Sequence, residues 1–326
     1  VWIKSAIGLF WQPGGDVVED KFRKKLLQEQ LKKKTKGQQV VQANYRAKYP
    51  DSMEREYMRV ASAYMALEKQ VIVRHLPELK DILTEKDVPE LQMDSKKEYN
   101  RKRRLSRFIS LDNTFQRLRM VFRLIRGELE QALGTFELRR KIEALAGLGH
   151  KLTVKEWKKT IHKTFGIDLL EDYYSGDAYQ VLLKQWVSEN VDLIRTVPQV
   201  SLDKMKELVY DNYMEGKTAT DIIKEIQKQY GMDKRHAMLI ARDQTAKLNA
   251  AITQHQQEEA GIERYTWSTS GDKRVRDSHR KLDGRSFRWD DPPETEKGRK
   301  CHPGQDYQCR CCAIPIMDIT TLDLPV

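Results

Sequence analysis

At Gly261 the hydrophobic period of this chain changes, and the two sides of that point demand different structures. Upstream, apolar residues recur every three to four positions, the period of a helix; downstream they recur every second position, the period of a strand. Asp233 to Glu259 reads as one long helix burying Met238, Ile240, Ala241, Thr245, Leu248 and Ile252. Ala241, Ala246, Ala250 and Ala251 on it are small enough for close packing. Beyond Gly261, Glu263, Tyr265, Trp267 and Thr269 fall on one side of an extended segment, with Arg264, Thr266 and Ser268 on the other. Arg285 to Asp290, carrying Phe287 and Trp289, reads as a second strand, and Arg310 to Met317 as a third that ends at Pro315. Three such short strands make a small sheet, which must bury one face against the long helix.

The rest of the chain reads as helices. Val17 to Lys36 is a very basic helix following the breaker run Trp11-Gln-Pro-Gly-Gly15. Ser52 to Lys69 places Met53, Tyr57, Val60, Tyr64 and Leu67 on one face, and Val71 to Leu83 continues it with a break at Pro77. Thr84 to Asn100 reads as a linker or a helix pair. Phe115, Leu118, Phe122, Ile125, Leu129 and Leu133 form a stripe whose helix stops at the glycines of Leu145 to Gly149. Thr153 and Glu156 have capping-box spacing for a helix to Phe165. Ala178 to Thr196 ends at Pro198. Ser201 caps a run stopped by Gly216, and Thr220 caps one stopped by Gly231. The fold class is therefore mainly α: an N-terminal and central helical bundle with a small C-terminal α+β subdomain, a short β-sheet packed on a long helix. The divisions in chain order are 1-110 (basic and helical), 111-232 (helical bundle) and 233-326 (α+β).

A formal charge of +11 points to acidic partners, nucleic acid first and an acidic protein surface second. Lys21, Arg23, Lys24, Lys25, Lys32, Lys33 and Lys34, with Arg101, Lys102, Arg103 and Arg104, form two basic runs with few aromatics to stack on bases. Contact through them would be to phosphates and blind to sequence; the alternative is a solvated helix face. No apolar run has the length of a spanning helix, so no membrane partner is expected. Trp2 to Trp11 is apolar but short, is interrupted by Lys4, and lacks a cleavage pattern.

All four cysteines lie between Cys301 and Cys312, which suits a reducing compartment rather than a disulfide framework. In a strand Cys309 and Cys311 point the same way. With His279 and Cys301 they supply the ligands of a structural zinc site, though no pair of Cys-x2-Cys units is present. Reduced cysteines packed as small apolar groups, with His279 bonded to backbone, are the default reading. A nucleophilic site would draw on Cys309, His279 and either Asp283 or Asp277; nothing in the spacing selects it. Asp272, Asp277, His279 and Asp283 are interleaved with Arg274, Arg276 and Arg280, the pattern of a salt-bridged loop rather than a metal nuclease. Arg242 and Asp243, polar residues in an apolar helical stretch, are either a buried pair fixing the helix to the β part or a surface pair.

The ordered series Arg242-Asp-Gln244, Trp267, Asp272-x-Arg-Val-Arg276, His279-x-x-Leu-Asp-Gly284, Pro303-Gly304 and Cys309-Arg-Cys311 resembles the C-terminal domain of tailed-phage minor head proteins, the Mu F-like head-morphogenesis family. The resemblance runs from about Val200 to Met317. Its motif residues fall here on Arg242, His279, Gly284, Cys309 and Cys311, while Cys301 and Cys312 lie outside the pattern. It implies a structural protein of the virion or prohead, in the bacterial host cytoplasm during assembly. Such a protein is associated with the portal and the capsid or scaffold interior, and acts in head assembly and in DNA packaging or ejection. Non-specific contact with double-stranded phage DNA is implied, and no enzymatic activity. The alternatives are a zinc-containing non-specific nucleic-acid-binding protein and a nuclease or toxin-like enzyme.

Overall fold

A computed structural model describes residues 17–84, 96–170 and 172–326, with side chains described from 22–84, 112–170 and 173–326. The expectations for Trp2 to Trp11 and for most of the Thr84 to Asn100 linker fall outside these residues. So do those for the side chains of Lys21, Arg101, Lys102, Arg103 and Arg104. The helices are α1 (Val17–Lys34), α2 (Asp51–Thr84), α3 (Lys96–Gly134), α4 (Leu138–Phe165), α5 (Asp177–Met214), α6 (Ala219–Glu259) and the single turn α7 (Asp277–Arg280). The strands are β1 (Val40–Gln42), β2 (Arg264–Ser268), β3 (Ser286–Arg288), β4 (Glu294–Glu296), β5 (Arg299–Lys300) and β6 (Cys312–Asp318). The protein is mainly helical with a small antiparallel sheet, as the change of period requires. Among the described residues, no helix is long and apolar enough to cross a membrane.

The chain forms two compact units that are interleaved rather than successive: 1–57, 142–190 and 241–326 in one, 58–141 and 191–240 in the other. The divisions 1-110, 111-232 and 233-326 follow chain order and do not coincide with these units, because α2, α5 and α6 each contribute to both. Several helices also run further than local rules allow. Pro77 lies inside α2 and Pro198 inside α5. Gly231 lies inside α6, so the long helix starts at Ala219 rather than Asp233. A proline in a helix interior costs about 3 kcal/mol and a glycine about 1. Each breaker is flanked by buried residues, Ile72, Leu79 and Ile82 around Pro77 and Ile194, Val197 and Leu202 around Pro198. Burying such side chains is worth about 1.5–3 kcal/mol apiece, which outweighs the local penalty.

Two expected caps are corrected in the same way. Thr153 is inside α4, where its hydroxyl donates to Gly149 O at 2.9 Å. Gly149 is no helix stop: a Cβ there would lie 2.5 Å from Met53 Sδ and 3.0 Å from Leu248 Cδ2, so it admits those side chains. Ser201 is buried within α5. The start of α6 is capped by Thr218 rather than Thr220. Thr218 Oγ1 accepts the Asp221 N–H at 3.2 Å and donates to the Asp221 carboxylate at 2.7 Å, a reciprocal cap of the capping-box kind.

In the unit of 58–141 and 191–240, the predicted stripe holds. Leu118, Phe122, Ile125 and Leu129 of α3 pack with Val71, Ile72, Leu79 and Ile82 of α2, Leu202, Met205 and Val209 of α5, and Ile222 and Ile226 of α6. In the other unit the sheet has the order β1-β6-β2-β3, all antiparallel, with β4 and β5 forming a separate two-stranded ribbon. The three expected strands are present. Pro315 does not end the last one but sits inside β6 opposite Tyr265, where its carbonyl accepts the Ala43 N–H at 3.0 Å. The sheet lies on the C-terminal half of α6. Gln257 Nε2 donates to Ala313 O at 3.1 Å, and Gly304 comes so near the helix that a Cβ on it would be 2.9 Å from Ala250 Cβ.

Candidate metal centre

Strand β2 buries Tyr265 and Trp267 completely, and with Leu282, Trp289 and Ala313 they enclose Cys309 and Cys311. The turn α7 delivers His279 to the same place, its ring edge-on to Trp267 with centroids 5.3 Å apart. The residues after α7 reverse at Gly284, which has φ +74 and donates its N–H to Trp267 O at 2.9 Å. That left-handed conformation is open to glycine at little cost, which accounts for the glycine of this motif. The loop before β6 turns at Asp306 to Cys309, with Cys309 N–H donating to Asp306 O at 3.1 Å. Gln308 there holds a left-handed φ of 50, and its N–H donates to Asp243 Oδ1 at 2.8 Å.

The result is a sealed cluster. His279, Cys309 and Cys311 are 2%, 4% and 6% exposed. His279 Nδ1 lies 3.5 Å from Cys309 Sγ and 3.6 Å from Cys311 Sγ. The Cys311 N–H donates to Cys309 Sγ at 3.4 Å. On the far side of the ring, His279 Nε2 is 3.1 Å from Asp306 Oδ2. Asp306 also accepts from Tyr307 N–H at 2.8 Å, Arg299 at 2.9 Å and Arg276 at 3.3 Å. Burial pushes this carboxyl up, yet it stays below its ordinary value because the Tyr307 N–H, Arg276, His279 and Arg299 all favour the charged form. An ionised carboxylate only accepts, so the imidazole proton belongs on Nε2 and the Nδ1 lone pair faces the two sulfurs. The Cys309 thiol is pulled down by its contacts with Cys311 and then His279 against the effect of burial, and His279 is raised, chiefly by Cys309.

His279, Cys309 and Cys311 can each present a ligand atom within 4.8 Å of the others, a set that can hold a metal ion. Cys301, expected as a fourth ligand, is not brought into this set; it is partly exposed, and burial raises its thiol. Cys312 lies apart, accepting from Arg46 Nε at 3.3 Å. The carboxylate behind His279 is Asp306, which the sequence reading did not single out. The two it weighed are used elsewhere: Asp283 accepts the Thr269 N–H at 2.7 Å and exposed Asp277 pairs with Arg280 at 3.1 Å. Asp272 pairs with Arg274 at 3.6 Å, so the loop between β2 and α7 is laced with ion pairs as its composition suggests.

Arg242 and Asp243 are neither a mutual pair nor an idle surface. Arg242 Nε donates to Glu54 Oε1 at 3.2 Å, while Arg310 Nη2 reaches both Glu54 oxygens at 2.7 and 2.9 Å. Arg310 also lies over the Tyr49 ring at 4.9 Å. Asp243 holds the Gln308 N–H and Lys247, and the Gln244 carbonyl accepts from Trp186 Nε1 at 3.2 Å. Three consecutive residues of α6 thus fix three different segments, and buried Glu54 joins the arginine of Cys309-Arg-Cys311 to that helix.

Residues 203–314 match the family described as Phage Mu protein F like protein. The match spans the end of α5, then α6, β2, α7, β3 to β5 and the first three residues of β6, close to the range over which the motif series runs. A protein of Haemophilus influenzae described as uncharacterized is 41% identical over 153 residues, which is 47% of this chain and 33% of that protein. The chain therefore covers about a third of the length of that relative. No solved structure matches.

Of the basic residues proposed from sequence, Lys25, Lys32, Lys33 and Lys34 are exposed on α1, outside the matched region. Arg23 is turned inward, donating to Leu324 O at 2.6 Å and to Asp323 at 2.7 Å, and Lys24 pairs with Asp323 at 3.0 Å.

Proposed function

We propose that this protein is a structural component of a tailed-phage head. In this reading it assembles at the portal vertex and meets packaged double-stranded DNA through phosphates, and it catalyses no reaction. The observation that carries the reading is the match to the Mu F-like family over 203–314, the region that contains the sealed Cys/His cluster. Burial of Cys309, His279 and Asp306 supports an architectural role over a catalytic one, since a nucleophile and its base must be reached by substrate. The exposed lysines Lys25, Lys32, Lys33 and Lys34 support a sequence-independent contact with DNA.

Co-expression with the portal protein of the same phage tests the first part. A stable complex on size exclusion, and the chain present in purified proheads, are expected; absence from both would sink the reading. The DNA contact is tested by titrating duplexes of unrelated sequence at two salt concentrations. Four phosphates neutralised by those lysines would weaken binding about a hundredfold between about 50 and about 200 mM salt. Equal affinity at both concentrations would rule out the electrostatic contact, and alanine at the four lysines should flatten the dependence.

A further inference from the structure

We propose that His279 Nδ1, Cys309 Sγ and Cys311 Sγ bind one zinc ion, with Asp306 as the positioning residue that fixes the imidazole for it. The inference rests on the geometry of the cluster and not on the head-assembly reading. Zinc bonds of about 2.3 Å to sulfur and about 2.0–2.1 Å to nitrogen, spread tetrahedrally, put each sulfur about 3.5–3.6 Å from the nitrogen. The two separations here are 3.5 and 3.6 Å. One imidazole lone pair cannot serve two thiols as a hydrogen-bond acceptor, whereas a cation placed between the three atoms satisfies all of them. Two thiolates and an imidazole are ligands for a borderline-soft ion, not for magnesium or calcium.

The surroundings fit the same conclusion. A zinc-bound histidine usually donates its other N–H to a carboxylate, which sets the tautomer and the ring plane. Asp306 occupies that place, and Arg276, Arg299 and the Tyr307 N–H in turn hold Asp306. The three ligands come from α7 and from the loop entering β6, which are 30 and more residues apart in the chain. An ion between them closes that loop over a core of few apolar side chains, where each further constraint counts. Cys301 is no part of the set.

Metal analysis of the purified full chain should give one zinc per molecule. Cys309→Ser and Cys311→Ser should abolish it, while Cys301→Ser and Cys312→Ser keep it. Because both substitutions remove buried side chains and can disturb folding, the unsubstituted chain loaded with cobalt provides the second measurement. Tetrahedral d–d bands with sulfur-to-cobalt charge transfer are expected, and X-ray absorption on the zinc form should count two sulfurs. A folded, metal-free protein that takes up no cobalt would overturn the site, and three sulfurs would overturn the ligand set. Asp306→Ala should lower zinc affinity about 10–100-fold with the sulfur count unchanged; unchanged affinity would remove Asp306 from the proposal. None of these outcomes depends on portal binding.

Discussion

The unit of residues 58–141 and 191–240 buries aliphatic side chains from four helices, and within it the carboxyl of Glu68 is fully buried beside Ser201 and Asp233. The segment 264–318 buries fewer side chains, the largest of them the aromatics Tyr265, Trp267 and Trp289, and its buried carboxylate, Asp306, accepts from four donors. The difference follows from how much apolar area each has. A large helical core can carry a buried carboxyl without a cation beside it, provided that group takes its neutral form: burial, with Asp233 nearby, raises Glu68 to about 8 against the smaller effect of Ser201. A small sheet has no such surplus, so its charges are ionised, paired and used to hold the loops in place.

That contrast can be broken at defined points. The tryptophans among the described residues, Trp157, Trp186, Trp267 and Trp289, all belong to the unit that contains the sheet. Their fluorescence follows that unit, while far-UV circular dichroism follows the helices of both. The largest effect is expected from Glu54→Ala, which removes the partner that Arg242 and Arg310 share and leaves Arg310 only the longer pair with Asp51. Removing one partner of such a network costs about 3–5 kcal/mol. The denaturation midpoint read by fluorescence should fall sharply; a change of under about 1 kcal/mol would show that the clasp does not hold the Cys309-Arg-Cys311 loop.

A smaller effect, and one with a pH signature, is expected at Glu68. Its folded pKa lies above the unfolded value, so the folded state keeps a proton that the unfolded state releases. Stability is then full below about pH 4.5 and declines as pH rises toward about 8, by about 1.4 kcal/mol per pH unit at most. Glu68→Gln should abolish this slope in the dichroism-monitored transition. A slope that survives the substitution would mean that Glu68 is solvated or paired in solution. The smallest effect is expected from Thr218→Ala, which removes the reciprocal cap of α6 at a cost of about 1 kcal/mol. Thr220→Ala, at the second residue of the helix, should cost less; the reverse order would return the cap to Thr220.

Much of this was legible in the chain itself. The change of period at Gly261 marked the sheet, the stripe from Leu118 to Leu129 marked the helical core, and the motif series located the region that matches the Mu F-like family. What misled was punctuation. Pro77, Pro198, Gly149 and Gly231 are breakers by local rule, yet all lie inside helices; at the two prolines, burial on both sides exceeds a penalty of about 3 kcal/mol. Strand β1, three residues long, has no period to detect, and its place beside β6 is set by pairing with residues far along the chain.

The sequence by itself determined which residues could be ligands, His279 and the cysteine pair, because donor chemistry belongs to the side chain wherever it sits. Only the tertiary structure decided that Cys301 stays out, that Asp306 stands behind His279, and that Arg242 and Arg310 share Glu54. Those are relations of distance between residues up to 256 positions apart, and no local pattern encodes a distance that exists only once the intervening helices have packed.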